Sequence, residues 1–557
     1  MRQFLSLLLI IALIFSFAAC HESVSPTVVT DTSTVTSDTI SESIATPLPT
    51  ISAEPTTTST PEANLVSQGN WSGDYEYATY SDGSATITQC RSSEVELIVP
   101  TELDGFIVTK FGDYLFLNLK SLKSIIIPES VTSLGSNTFN GCNALTSIVI
   151  PVGITQIGDS VFSDCEALAN VIIPAGVTSI GEQAFYNCNT LMNLTIPEGV
   201  MSIADSAFWE CLNLKSITLP ETLTSIGENV FTDCKSLANI TLPDNVNIIG
   251  DYAFSHCEVL ASIAIPNSVT SISAGTFYGC KTLSSITLPD SITKIGKYAF
   301  AGCTALVSFA IPSCVTNIGN SAFWNCTALA NITIPNGVTR IGNWAFENCQ
   351  ALDNVTIPES MSSIGGGAFY GTAWLNAQKQ GDWIELGNGL RFVYVGNETN
   401  VTVPAGMDAF DFYGNSQVIQ VTISDGVTSI GDSAFSACSA LKNVTISKSV
   451  TIISDYAFSD CTALTNITIP ESVEHIGDGA FASCTALTNI TIPNRVESVG
   501  SLAFYNCTAL NNVIVPNSVT NIGDSAFEEC GALTIICPEG SYAWNYAVEN
   551  SIAHKAA

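Results

Sequence analysis

A 23-residue period governs this chain. An apolar residue followed by proline returns at Pro128, Pro151, Pro174, Pro197, Pro220, Pro243, Pro266, Pro289, Pro312, Pro335 and Pro358, always 23 residues apart. One copy reads LTSIVIPVGITQIGDSVFSDC from Leu145 to Cys165, and a late one reads LTNITIPESVEHIGDGAFASC from Leu464 to Cys484. A unit this short cannot bury its apolar face alone, so successive units must stack and share one continuous core. The expected fold is a repeat solenoid, a long body with a regular surface and no obvious cleft. Such a body suits binding better than catalysis.

Within a unit, L-x-x-I-x-I-P alternates apolar and polar residues, the period of a half-buried strand. Proline ends that strand because it donates no ladder hydrogen bond. A second short β segment, V-T-x-I-G, follows, and its glycine permits a corner. The stretch A-F-x-x-C-x-x-L then spaces its apolar residues as one tight helical turn facing inward. Phenylalanine forms a column from Phe116 and Phe139 to Phe369, then Phe412, Phe435, Phe458, Phe481, Phe504 and Phe527, which counts 18 coils. At about 4.8 Å per coil the stack would be roughly 85 Å long.

The rhythm breaks once, where Phe369 and Phe412 stand 43 residues apart. WIEL and LRFVYV flank Gly387-Asn388-Gly389 there, which predicts an inserted β-hairpin projecting from the stack. Its Trp374, Trp383, Phe392 and Tyr394 either form a binding feature or pack onto the coil they interrupt.

The chain has 19 cysteines, and fifteen hold one repeat position, from Cys142 to Cys349 and from Cys438 to Cys530. Equivalent residues of neighbouring coils point the same way about 4.8 Å apart, which suits a packed column better than the opposed geometry of a disulfide. Leu119 and Thr372 at the same position support packing over covalent chemistry. The expectation is a reduced, buried ladder, with bridges the alternative for an exported chain.

Residues 1–20 carry one basic residue, Arg2, then an apolar run and small residues before Cys20, the pattern of a secretion signal rather than a membrane span. Ala18-Ala19-Cys20 resembles the lipobox of bacterial lipoproteins, with Phe17 where that family has leucine. The resemblance implies cleavage before Cys20 and lipid attachment there. Ordinary signal-peptidase cleavage near Ala19 is the alternative. Residues 21–68 are rich in Ser, Thr and Pro and read as a disordered stalk. As flexible coil it would span roughly 40 Å. A formal charge of −33 argues against nucleic acid and against anionic membrane surfaces, so membrane contact is expected through the N-terminal lipid only.

The repeats resemble the BspA-like, or Treponema-type, leucine-rich repeats, whose pattern is L-x-x-I-x-I-P-x-x-V-x-x-I-G-x-x-A-F-x-x-C. The likeness spans roughly residues 85–540, from the opening unit LDGFIVTKFGDYLF to the exit GSYAWNYAVENSI. It implies a leucine-rich-repeat solenoid of short parallel strands and short helical turns. It also implies a bacterial surface protein that adheres to host proteins or other cells. The division expected is residues 1–20 signal, 21–68 stalk, 69–111 N-terminal cap, 112–372 repeats, 373–403 inserted hairpin, 404–536 repeats and 537–557 C-terminal cap.

Catalytic signatures are missing. The four histidines, His21, His256, His475 and His554, pair with no nucleophile in a known motif, and G-x-S-x-G, H-E-x-x-H and P-loop patterns do not occur. A non-enzyme without cofactor or metal is expected. Two surface ranks vary apart from the core. One, between the strand apolars, is often threonine, as at Thr195, Thr218 and Thr241, for which strand preference is sufficient cause. The other follows the core phenylalanine and holds Tyr186, Trp209, Tyr278, Trp324 and Tyr370, with Tyr413 and Tyr505 further on. Packing that tolerates serine does not demand large rings, and Tyr and Trp dominate binding hot spots. These five are the candidate contacts for a protein or cell-surface ligand. The competing reading is partial burial between coils. Two functions follow: an extracellular, lipid-tethered adhesin-like binding protein, or a structural spacer with no specific ligand.

Overall fold

The computed structural model describes residues 63–378 and 381–557. The signal segment, Cys20 and residues 21–62 of the stalk lie outside the described residues.

Most units lay down two short strands, and within the regular repeats equivalent strands pair in parallel between coils in 23-residue register. Asn170–Ile172 pairs with Ser147–Val149, and Ser179–Ile180 with Gln156–Ile157. The second strands run as ladders of up to five, for example from Gln156–Ile157 to Ile248–Ile249. Alternation follows from the pleat: in Ser147–Val149 only Ile148 is buried. The glycine that recurs after the second strand marks a close approach of backbones. A Cβ on Gly250 would lie 2.5 Å from the Glu228 backbone nitrogen in the preceding coil.

The segment around the core phenylalanine departs from the expected helical turn. Cys165 N–H bonds the Phe162 carbonyl three residues back, but Ser160 and Asp164 on either side have φ of 55° and 57°. Left-handed residues break a helix and turn alternate N–H groups toward the next coil. Ser160, Phe162 and Asp164 N–H therefore donate to Glu182, Ala184 and Tyr186 carbonyls at 2.7, 2.8 and 2.8 Å. The turn edge is thus a third hydrogen-bonded ladder. Among the described residues, helix is confined to Ala373–Ala377 and Tyr542–Glu549.

Inside, the phenylalanines stack ring on ring, with Phe208 to Phe231 at 5.7 Å and Phe323 to Phe346 at 5.2 Å. Every cysteine among the described residues is a free thiol. Each ladder thiol donates to a phenylalanine carbonyl of the preceding coil, as Cys165 does to Phe139 at 3.2 Å. Burial pushes the Cys211 thiol up to about 12, which keeps it protonated and unreactive.

The ends differ from the expected bounds. Strand β1, Leu65–Ser72, begins inside the segment assigned to the stalk. It pairs antiparallel with β2, Tyr75–Tyr80, and Ser67 and Thr79 hydroxyls meet at 2.8 Å. A polar edge strand held by backbone bonds has no apolar alternation to betray it. From β2 the sheet continues through β3, Ser84–Cys90, to Phe106–Phe111, which joins the first second-strand, Ser133–Leu134. At the other end the helix Tyr542–Glu549 and strand Ala553–Ala556 close the last coil.

The insert does not project. Trp383–Leu386 and Arg391–Tyr394 form the antiparallel pair, and Arg391–Tyr394 then pairs in parallel with Phe410–Asp411, taking a place in the stack. Asn400–Val403 already belongs to the following ladder, beside Gln420–Ile423, so the hairpin ends before residue 403. The rings of the insert cap the broken column. Trp374 meets Phe369 at 5.0 Å, and Tyr394 and Trp383 meet Phe412 at 4.9 and 5.3 Å.

Candidate binding surface

Residues directly after the core phenylalanine leave the turn edge and form a ridge along it. Tyr186, Trp209, Tyr278 and Trp324 are half-buried there, and Tyr370 is 36% exposed. Neighbouring coils bring some of these rings together and leave others apart. Tyr186 meets Trp209 edge-on at 5.6 Å and its hydroxyl donates to Glu210 at 3.3 Å. Tyr278 sits between His256 at 5.1 Å and Tyr298 at 6.2 Å. Tyr370 meets Tyr413 at 5.0 Å across the insert. Ser163, Thr232 and Ser255 hold the same position in other coils without loss of the stack, so the rings exceed what the core requires. The buried Trp209 indole N–H has no hydrogen-bond partner in the protein.

The insert also creates a joint that the repeat pattern conceals. Between Phe369 and Phe412 the turn ladder loses its usual carbonyl, and Gly367 N–H donates instead to the Asp411 carboxylate at 2.8 Å. Arg391 lies 3.5 Å from that carboxylate and donates through Nε to the Ile364 carbonyl at 2.8 Å. Both charged groups are buried. The wedge bends the stack toward its turn edge. Trp344 contacts Tyr456 at 5.7 Å, although four coil steps separate them and would place them about 19 Å apart in a straight stack. Asn343 reaches Asp432 at 3.5 Å, and the Tyr413 hydroxyl donates to Glu347 at 3.0 Å. Withdrawal from water pushes the Glu347 carboxyl up to about 7. Glu347 holds the same rank position as the aromatic candidates and was not singled out from the sequence, nor were Arg391 and Asp411. The signals were there, an arginine inside the apolar run LRFVYV and an aspartate within FDF.

Among the described residues no group of three or more His, Cys, Asp or Glu side chains is placed to hold a metal ion. No described helix is long and apolar enough to cross a membrane.

The match to a family model agrees with this architecture. The model of the BspA type leucine rich repeat region (6 copies) matches over residues 105–215, 156–284, 201–326, 270–382 and 406–534. No curated protein matches the chain. A leucine-rich repeat protein from Bacteroides ovatus is 24% identical over 88% of this chain and 99% of its own, with a TM-score of 0.42. A leucine rich cell surface protein from Faecalibacterium prausnitzii is 24% identical over 89% and 98%, with a TM-score of 0.29. The leucine rich repeat protein of T. pallidum is 26% identical over 43% and 91%, with a TM-score of 0.25. With the family pattern matched from the first coils to the last, this chain belongs to the BspA-type leucine-rich repeat family.

Proposed function

We propose that this protein is a binding protein of the bacterial cell surface, tethered through lipid on Cys20 and recognising a protein or cell-surface ligand with its solenoid. The observation that carries the reading is the turn-edge ridge, where Tyr186, Trp209, Tyr278, Trp324 and Tyr370 keep partly exposed rings at a position other coils fill with serine or threonine. Rigid rings with a polar tip contribute large contact area at low entropic cost, which is why such residues anchor interfaces. The stalk would hold that ridge away from the membrane, where partners reach it.

The test replaces Trp209, Tyr278 and Trp324 together with serine. Binding to host-matrix proteins, mucins or whole cells is expected to fall at least tenfold with little change in the thermal transition. An equal loss of stability would show that the rings serve the core. Absence of any ligand for the wild-type protein would favour the spacer, and truncating coils would then change only the height of the tethered body.

A further inference from the structure

The insert interrupts everything that runs continuously through the coils on either side of it. The first-strand ladder stops at Asn354–Thr356, and a new one starts at Asn400–Val403. The second-strand ladder stops at Ser363–Ile364 and resumes at Ser429–Ile430. The turn ladder crosses the gap through the Asp411 carboxylate, which takes the Gly367 N–H where a backbone carbonyl serves in regular coils. The buried apolar residues likewise fall into two clusters, one reaching Leu386 and the other beginning at Tyr394. Two arms result, each a continuous stack, with a joint between them. Hinges form where a few residues absorb the rotation and a rigid body lies on each side.

On the inside of the bend the arms touch through side chains: Trp344 on Tyr456, the Asn343 amide on Asp432, and the Tyr413 hydroxyl on Glu347. Glu347 differs from the others because its charge has nothing to meet. Tyr413 faces it from the second arm and Tyr370 from the next coil, both held neutral by burial. Behind them stand the buried Cys438 thiol and Asp411, whose charge Arg391 already meets at 3.5 Å. Trp324 and Asn325 of the preceding coil are uncharged. Among the described residues no cation pairs with Glu347, so a carboxylate there would have one neutral hydrogen bond in a site short of water, which is costly. The side chain that covers it belongs to the other arm. Parting the arms therefore returns water to Glu347 while every coil keeps its core.

We propose that the joint is a pH-operated hinge: with Glu347 protonated the two arms close on each other, and loss of that proton swings them apart. This goes beyond the ligand-binding reading and does not rest on it. In the closed joint the carboxyl keeps its proton up to about 7, whereas in water it would keep it only to the ordinary 4.5. The ionised form therefore favours the open joint, and opening grows as pH rises and levels off above pH 7. Between those two values each pH unit multiplies the ratio of open to closed molecules up to tenfold, about 300-fold in all. Asp411 sits at the pivot, held by Arg391 and the Gly367 N–H, and is not among the contacts that separate. Opening bares the rings of Trp344 and Tyr456.

Small-angle X-ray scattering of the full chain from pH 4.5 to about pH 8, extrapolated to zero concentration, tests the hinge. The radius of gyration is expected to rise in one sigmoidal step. Hydrogen exchange, corrected for its intrinsic pH dependence, should rise with it around Trp344 and Tyr456 but not around Phe254, deep in the first arm. Glu347→Gln keeps an acceptor for the Tyr413 hydroxyl and cannot ionise, so it should hold the low-pH dimensions throughout. Asp432→Asn removes the other carboxyl of the contact and should leave the step in place. A radius that does not change with pH, a step that survives in Glu347→Gln, or a step abolished by Asp432→Asn would each overturn the proposal.

Discussion

Glu347 makes the joint between the two arms sensitive to pH, and the size of the effect follows from its surroundings. Its carboxyl faces the Tyr413 hydroxyl, and Tyr370 and Asp411 stand close by around Tyr413. Burial raises its pKa from an ordinary 4.5 to about 7, and the Tyr413 hydrogen bond only partly offsets that rise. The folded protein therefore holds the proton more tightly than the unfolded chain does. The stabilisation is fully present below pH 4.5, declines as pH rises, and is gone above pH 7. At about 1.4 kcal/mol per pKa unit the whole swing is at most about 3 kcal/mol. Glu347→Gln keeps the oxygen that accepts from Tyr413 and removes the titration. Its advantage over wild type should be near zero at pH 4.5 and reach its full value at pH 8. Asp411 is also raised by burial, with Arg391 countering, but it is common to both proteins and cancels in the difference. Urea unfolding of both proteins across that pH range measures the difference, and hydrogen exchange in the segments around Trp344 and Tyr413 locates it. A difference that does not vary with pH would refute the reasoning, because the carboxyl would then titrate as an exposed one.

The column itself should behave as a chain of nearest neighbours. Phe254→Ala, which removes a fully buried ring stacked at 5.4 and 5.7 Å on its neighbours, should cost ~3–5 kcal/mol, with hydrogen exchange rising mainly in the adjacent coils. Thiol titration of the protein unfolded without reductant should find most of the fifteen ladder cysteines free. Paired cysteines would overturn the packed-thiol account. Cys20→Ala should abolish palmitate incorporation and shift the protein from the membrane fraction to the medium, and unchanged fractionation would remove the lipid anchor from the proposal.

Everything that recurs every 23 residues was legible in the sequence. The alternation of Ser147, Ile148 and Val149 specifies a strand with one buried face, and repetition turns that one strand into a ladder without further information. Phe, Cys and Leu columns follow for the same reason, since identical residues at identical positions can only stack. The turn edge was misjudged because apolar spacing alone does not distinguish a helical turn from a tight bend. Ser160 and Asp164 take left-handed backbone angles to send their N–H groups to the next coil, and that demand comes from the neighbour. β1 was missed because a polar edge strand leaves no periodic trace before its partner is known.

What breaks the period was left to the tertiary structure. A hairpin was legible from Gly387-Asn388-Gly389, but its absorption into the stack depends on the Arg391–Asp411 pair, brought together from residues twenty positions apart. The meeting of Trp344 with Tyr456, and the burial that lifts Glu347, exist only because the inserted wedge bends one arm toward the other. Local pattern determines each coil, because every coil sees the same neighbours. The joint has no repeat to copy, so its contacts arise only when two distant stretches of chain are folded against each other.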